Sequence, residues 1–365
     1  MKFSSVKGLK ESLAGCLLGQ AVGDSLGLPC EGLSPDRIAV LFPLPLRQRL
    51  VFGRGMVSDD TEHAALTALA YHESKGSPTE FGIALARNLR WWLAAFPGGV
   101  GYATLRALCK SWLGWSPASS GVLSAGNGPA MRGTVLGVLA GEDFEAMKEL
   151  VKVSTRLTHL DPRAEVGALA VAWAARNSRL TFGLGLSPGL SPRLSPEAAN
   201  AELTELLSPL QAGSELLELI RRAAESAFKK ESAAEFAAAI GSRRGVSGFM
   251  FHTVPVVFQV LFAYPGDLKG ALTAIISAGG DADTTGAILG GIMGAGLGSD
   301  GIPKEWVDRL VDWPWNPASL ERLAAAIANK LPTVGVPFWG FQLARNLFFL
   351  AVILTHGLRR LAPPY

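Results

Sequence analysis

Gly279-Gly280-Asp281-Ala282-Asp283-Thr284-Thr285 runs directly into Gly286-Ala287-Ile288-Leu289-Gly290, and glycine recurs at 294 and 298. The spacing of four predicts a helix with one slowly rotating glycine stripe, which another backbone can approach closely. Asp281 and Asp283 then fall in a glycine-freed turn at the helix entrance, with Thr284 or Thr285 near the cap. Taken alone, the segment reads equally well as an acidic capping turn before a tightly packed helix. The same period occurs at Gly15, Gly19 and Gly23, inside a small, apolar run from Leu9 to about Leu28. It predicts another close-packed helix, ending at Gly27 and Pro29.

Composition agrees with a packed, helical chain. Of 365 residues, 48% are hydrophobic and 18% charged, which supports a large core and excludes a disordered chain. The net charge of +3, without a basic run, gives no nucleic-acid track. Cys16, Cys30 and Cys109 are scattered and lack metal-ligand spacing, so all three read as small core residues in a reduced compartment. The first residues, Met1 to Lys7, lack the apolar block of a signal peptide, and the expected location is cytoplasmic. Two apolar runs resemble membrane spans. One ends near Gly298; the other is Leu347 to Leu354, between Arg345-Asn346 and His356. Both fall short of the roughly 20 residues a span needs. No membrane span is expected, and the second run reads as a buried or interface helix.

Helical periodicity extends over most of the chain, and alternating strand patterns are nearly absent. Leu-Ser-Pro begins at 186, 190 and 194, and prolines at that spacing exclude a helix, so 183–196 is expected to be an exposed loop. The expected fold class is all-α, a single large multi-helix bundle. It divides into a main domain over 1–300 and a helical extension over 301–365 packed on it.

A second acidic stretch, Ser58-Asp59-Asp60-Thr61-Glu62, also sits at a helix start. A hydroxyl followed by two carboxylates makes a poor core element and a good site for a hard cation such as Mg²⁺ or Mn²⁺. If this stretch met Asp281 and Asp283, the four carboxylates would repel one another unless divalent ions lay between them. Two ions about 3.5–4 Å apart can activate a water or hold substrate oxygens. Residue types alone leave open whether the stretches meet or each caps its own helix. Gly126-Asn127-Gly128 suits a phosphate cradle, with backbone N–H groups and a helix N-terminus turned to an anion, or simply a tight turn.

Six motifs then occur in one order: Gly15 to Glu31, Ser58 to Glu62, Gly126 to Arg132, Thr158-His159, Gly245 to Pro255 and Gly279 to Thr285. On these the chain resembles the ADP-ribosylglycohydrolase family, which includes the dinitrogenase reductase-activating glycohydrolase and eukaryotic ADP-ribosyl hydrolases. The resemblance implies an all-helical fold with two divalent cations, Mg²⁺ or Mn²⁺, at the base of an ADP-ribose cleft. By position, Ser58, Asp59, Asp60, Asp281, Asp283 and Thr284 match its metal ligands. Glu31 matches a glutamate that moves on substrate binding in some relatives, and Asp60 and Glu31 are the expected catalytic pair. Gly126, Asn127, Gly128 and His159 match the substrate-binding positions, while Asp24 has an expected structural role. The implied activity is hydrolysis at C1″ of ADP-ribose in an ADP-ribosylated protein or a small ADP-ribosyl conjugate. The alternative is a non-catalytic ADP-ribose-binding or scaffold protein on the same fold. Ser58 stands where threonine is usual and Ala282 replaces a common threonine; both changes leave the ligand oxygens in place. Gly133-Thr134 and His252 also depart from the usual pattern and bear on substrate choice.

Overall fold

In the computed structural model, residues 6–181, 192–332 and 338–361 are described. The first eight helices are α1 (Val6–Gly27), α2 (Pro35–Leu41), α3 (Asp59–Glu73), α4 (Pro78–Ala94), α5 (Tyr102–Trp112), α6 (Gly128–Ala140), α7 (Phe144–Arg156) and α8 (Pro162–Thr181). Next come α9 (Pro196–Leu207), α10 (Gly213–Phe228), α11 (Ala233–Ala239), α12 (Met250–Ala263), α13 (Leu268–Ser277) and α14 (Ala282–Leu297). The last three are α15 (Lys304–Val307), α16 (Pro317–Ala328) and α17 (Trp339–Arg359). The described residues form isolated bridges but no sheet, so the all-α expectation holds. α9 and α10 are separate helices because Pro209 interrupts the ladder and Ala212 turns with φ of 67°. The Leu-Ser-Pro stretch lies outside the described residues over 183–191, and its end forms a short 3₁₀ turn, Pro192–Leu194.

The two glycine stripes pack on each other. A Cβ added at Gly15, Gly19 or Gly23 would lie 2.2, 2.2 or 2.0 Å from the carbonyl oxygen of Gly294, Gly290 or Gly286. Rising numbers on α1 meet falling numbers on α14, so the helices run antiparallel with their backbones in direct contact. This pair forms the most extensive helix–helix contact in the molecule. The antiparallel register has a consequence for chemistry. It sets the end of α1, with Asp24 and the Glu31 loop, beside the start of α14, with Asp281 and Asp283.

Gly279 and Gly280, with φ of 70° and 76°, thread this junction. Gly280 N–H donates to Leu33 O at 2.8 Å, and Asp281 N–H donates to Val246 O at 2.7 Å. A Cβ at Gly280 would sit 2.0 Å from Val246 O, so both the φ and the packing require glycine there. Around the pair, α3, α6, α8 and α16 complete the core.

Two expectations need correction. Cys16 and Cys30 are buried, but Cys109 is exposed, because it falls on the solvent side of the amphipathic α5. The apolar run near 350 belongs to a 21-residue helix, α17, long and apolar enough by length and composition to cross a membrane. The expectation that it is too short does not hold. Its inward side chains tie it to the bundle, however. Arg345 is ion-paired with Asp312 at 2.6 Å, Asn346 donates to Ala95 O at 2.8 Å, and Gln342 donates to Glu62 at 3.3 Å.

Candidate active site

Asp24, fully buried on α1, builds the platform. Its carboxylate accepts from the backbone N–H of Ser58 at 2.9 Å and of Thr61 at 3.2 Å, and from the Thr61 hydroxyl at 2.5 Å. It thereby caps α3 from another helix, satisfying N–H groups that α3 leaves free. Burial raises the Asp24 pKa to about 7, against the opposing effect of these donors. Ser58 supplies the local N-cap, its hydroxyl accepting from Asp60 N–H at 3.2 Å.

The two acidic stretches meet. Asp60 Oδ2 accepts from Ser58 Oγ at 3.2 Å and from Thr284 Oγ1 at 3.1 Å, across 224 residues of sequence. Asp60 and Asp283 are 1% and 5% exposed, and one carboxylate oxygen of each, Oδ1, is buried without a hydrogen-bond partner. Burial, then the charges of Asp59, Asp24 and Asp281, hold the Asp60 carboxyl well above the usual carboxylate range. Asp59 and Asp283 are shifted the same way, first by burial and then by their acidic neighbours. Glu31 stands on an exposed loop facing them. Lost hydration and then the Asp281 charge raise its pKa, while Arg360 opposes the shift.

This donor set fits divalent cations. Buried carboxylate oxygens with no donor, adjacent hydroxyls and mutually repelling acids are what a hard cation satisfies. Among the described residues, no three His, Cys, Asp or Glu side chains enclose an ion as they stand. The pocket is lined by oxygens, with the Ser58 and Thr284 hydroxyls beside the carboxylates.

The remaining predicted residues line the same cleft, of about 640 Å³. Asn127 departs from a simple cradle. Its side chain donates to Asp281 Oδ2 at 2.6 Å and to Thr253 Oγ1 at 2.9 Å, so it orients the acid. Its own N–H donates to Gly248 O at 3.0 Å, and that of Gly126 to Ser124 Oγ at 3.2 Å. Gly128 opens α6 at the cleft wall. The two glycines also make room for His159. A Cβ at Gly126 would come 3.1 Å from His159 Nε2, and one at Gly128 would come 3.2 Å from Cε1.

His159 is neutral, its pKa pushed down to about 3 by burial and by Arg132. Sequence reasoning gave Arg132 no role. It is fully buried, donating to Ser154 O at 2.9 Å and to Thr158 Oγ1 at 2.8 Å. The Thr158 hydroxyl in turn is hydrogen-bonded to His159 Nδ1, 2.9 Å away, which fixes the orientation of the ring. Nε2 lies on the side of Gly126 and the cleft, where the ring can meet a ligand. Phe251 is in the core, and Phe249 is half-buried beneath Arg163 rather than on the cleft wall.

Sequence reasoning also gave α17 no place in the site. Phe349 and Ile353 line the cleft beside Asp59 and Asp283. Arg345 pairs with Asp312 and lies 3.5 Å from Glu62. Asp312 accepts from Val57 N–H at 2.9 Å, and Trp92 donates to Glu62 at 2.6 Å. The residues flanking Ser58-Asp59-Asp60 are thus braced from behind by the C-terminal helix.

Comparison with known proteins points one way. A family model described as ADP-ribosylglycohydrolase matches residues 5–335. An uncharacterised protein of Archaeoglobus fulgidus is 30% identical over 313 residues, covering 83% of this chain and 93% of the relative. The ADP-ribosyl-[dinitrogen reductase] glycohydrolase of Rhodospirillum rubrum is 25% identical over 304 residues, covering 81% of this chain and 89% of that enzyme. A solved structure described as an ADP-ribosylglycohydrolase-related protein complex superposes with a TM-score of 0.65 at 27% identity. It covers 89% of this chain and 99% of its own.

Proposed function

The chain belongs to the ADP-ribosylglycohydrolase family, and on that premise we propose that it is a metal-dependent hydrolase acting at C1″ of ADP-ribose. Its substrates would be ADP-ribosylated proteins or small ADP-ribosyl conjugates in the cytoplasm. The observation that carries this reading is the contact of Asp60 with Thr284, which joins the two acidic stretches at the floor of one cleft. The cleft supplies the parts in order. His159 and the α6 N-terminus at Gly128 would face the diphosphate, and Asp59, Asp281 and Asp283 the distal ribose, with Asp60 buried just behind Ser58 and Thr284.

Ser58, Asp59, Asp60, Asp281, Asp283 and Thr284 would hold two divalent cations, Mg²⁺ or Mn²⁺. When bound, these supply Lewis acidity that lowers the pKa of a water and orients ribose hydroxyls. Asn127 keeps Asp281 in place. Asp60 takes the proton of the attacking water as its oxygen bonds to C1″ and the bond from C1″ to the acceptor breaks. Glu31, at the exposed mouth of the cleft, would give a proton to the departing acceptor. Incubation of the purified protein with Mg²⁺ or Mn²⁺ and ADP-ribosyl-arginine, ADP-ribosyl-serine or O-acetyl-ADP-ribose should release ADP-ribose from at least one. Binding of ADP-ribose with no release across the panel would leave a binding protein on a hydrolase fold and remove the proposal.

Thermal stability should report the cations independently of turnover. Asp59, Asp60 and Asp283 have folded pKa values raised above the ordinary 3.8. In metal-free protein the fold binds protons more tightly than the unfolded chain does. The stabilisation linked to those protons is complete below about 3.8 and lost as pH rises through the folded values. Mg²⁺ or Mn²⁺ should restore stability at neutral and higher pH, by about 2.7 kcal/mol at a hundredfold excess over Kd. Melting curves in EDTA and in Mn²⁺ across pH 5–8 test this. Curves that coincide at pH 8 would argue against cations in this pocket.

A further inference from the structure

α17 is inside out. Its inward face carries Gln342, Arg345 and Asn346, all buried and hydrogen-bonded. Its outward face carries Phe341, Leu347, Phe348, Leu354 and Leu358, which are 66%, 58%, 44%, 66% and 69% exposed. A helix whose only role is to cover the core would present these faces the other way round. Trp313 and Trp339, each more than a third exposed, border the same patch, and Trp313 packs on Phe348 at 5.7 Å between ring centroids.

Beside this face lies an open groove of about 1600 Å³ between α17 and residues 40–53. Its walls are apolar and arginine-bearing, with Arg47, Arg49, Arg309, Arg359 and Arg360 among them. Leu44 and Phe52 project from the opposite wall, 63% and 103% exposed. Residues 37–57 contain four arginines and no acid; of the three arginines in residues 338–361, which also hold no acid, Arg345 is buried and neutralised by Asp312, leaving Arg359 and Arg360 beside the groove. Glu305, the acid in the groove, is already paired with Lys269. In a chain of net charge +3, positive charge is thus concentrated next to an uncovered apolar helix.

We propose that this face docks peripherally on an anionic lipid bilayer. α17 lies along the interface, its outward leucines and phenylalanines in the acyl boundary, with Arg47, Arg49 and Arg359 on headgroup phosphates. The tryptophans sit at the headgroup level, where their amphipathic rings are favoured. The buried ion pair of Arg345 keeps the helix on the bundle, so the arrangement is a surface contact rather than a span. A second copy of the chain is the poorer occupant. A two-fold contact through this face would oppose two arginine-rich surfaces whose one groove acid, Glu305, is already paired with Lys269, whereas anionic headgroups neutralise them. The inference depends on neither the cations nor the hydrolase reading.

The test is co-sedimentation of the full chain with vesicles of phosphatidylglycerol and phosphatidylcholine, or of phosphatidylcholine alone, at low and high salt. Binding is expected to the anionic vesicles only and to weaken with salt. Arg47→Ser and Arg359→Ser should each weaken it about fivefold, the equivalent of about 1 kcal/mol per arginine. Leu354→Asp, at an exposed position, should abolish it while leaving the circular dichroism unchanged; Leu347→Gln gives an independent, milder check. Absence of binding to anionic vesicles overturns the proposal, as does binding that none of these substitutions alters. So does a dimer, seen by light scattering without lipid, that Leu354→Asp dissociates.

Discussion

Asp60→Asn is expected to lower kcat by about a hundredfold to ten-thousandfold while making the metal-free protein more stable, not less. Both effects follow from one geometry. Asp60 is buried with its Oδ1 unsatisfied, and its strongest electrostatic neighbours are Asp59, Asp24 and Asp281. An amide of the same shape removes one like charge from this group, so folding without cations becomes easier. It also removes the proton acceptor and one anionic ligand, so the chemistry stops. A residue that served only packing would move stability down and leave turnover largely intact. Steady-state kinetics and melting in EDTA, on the same preparation, separate the cases. Near-native kcat would remove Asp60 from the mechanism, and a lower melting temperature would mean that its charge supports the apo fold. Thr284→Ala provides a second reading, since it removes a hydroxyl that meets Asp60 at 3.1 Å. A smaller loss of activity, with weaker Mn²⁺ binding, is expected there.

What the sequence disclosed depended on how local each signal was. Glycine every fourth residue marks a close-packed face because helix geometry fixes the period, and both stripes are visible at 15–23 and 286–298. That these stripes pack on each other is a long-range fact, which neither segment carries alone. Once the pairing is known, the meeting of Glu31 with Asp281 and Asp283 follows from antiparallel register. Asn127 was legible as a turn residue, but its grip on Asp281 spans 154 positions. Arg132 and Arg345 were opaque for a related reason. An isolated arginine in an apolar helix looks like a surface charge until its buried partners, Ser154 or Asp312, are in view. α17 was legible as a buried or interface helix but not in its full length or its facing, because apolar periodicity locates a helical stripe without stating which side of it faces the protein.

Gly290→Val should eliminate folded protein, and Gly290→Ala should already destabilise severely. A Cβ at Gly290 lies 2.1 Å from Gly19 O, and one at Gly19 lies 2.2 Å from Gly290 O. Both contacts are with backbone, so no side-chain rotation relieves them. The helices must separate along the whole interface, since Gly15 meets Gly294 and Gly23 meets Gly286 in the same register. Ordinary overpacking costs about 1–3 kcal/mol. A clash between two backbones should exceed that for alanine, and for valine it should approach the whole stability of a typical domain, about 5–15 kcal/mol. Gly357→Ala, on α17 with open space around its would-be Cβ, is the control. It should be neutral or stabilise by up to about 1 kcal/mol. The alanine variant also separates packing from site geometry. Asp281 and Asp283 ride on the start of α14, whereas Asp24, the cap of α3, rides on α1. If α14 moves away from α1, the acids lose their alignment even in molecules that remain folded. Activity of Gly290→Ala should therefore fall by more than its folded fraction, measured by circular dichroism at the assay temperature. Activity that tracked the folded fraction alone would mean that the stripe holds the bundle together without aligning the two acidic stretches.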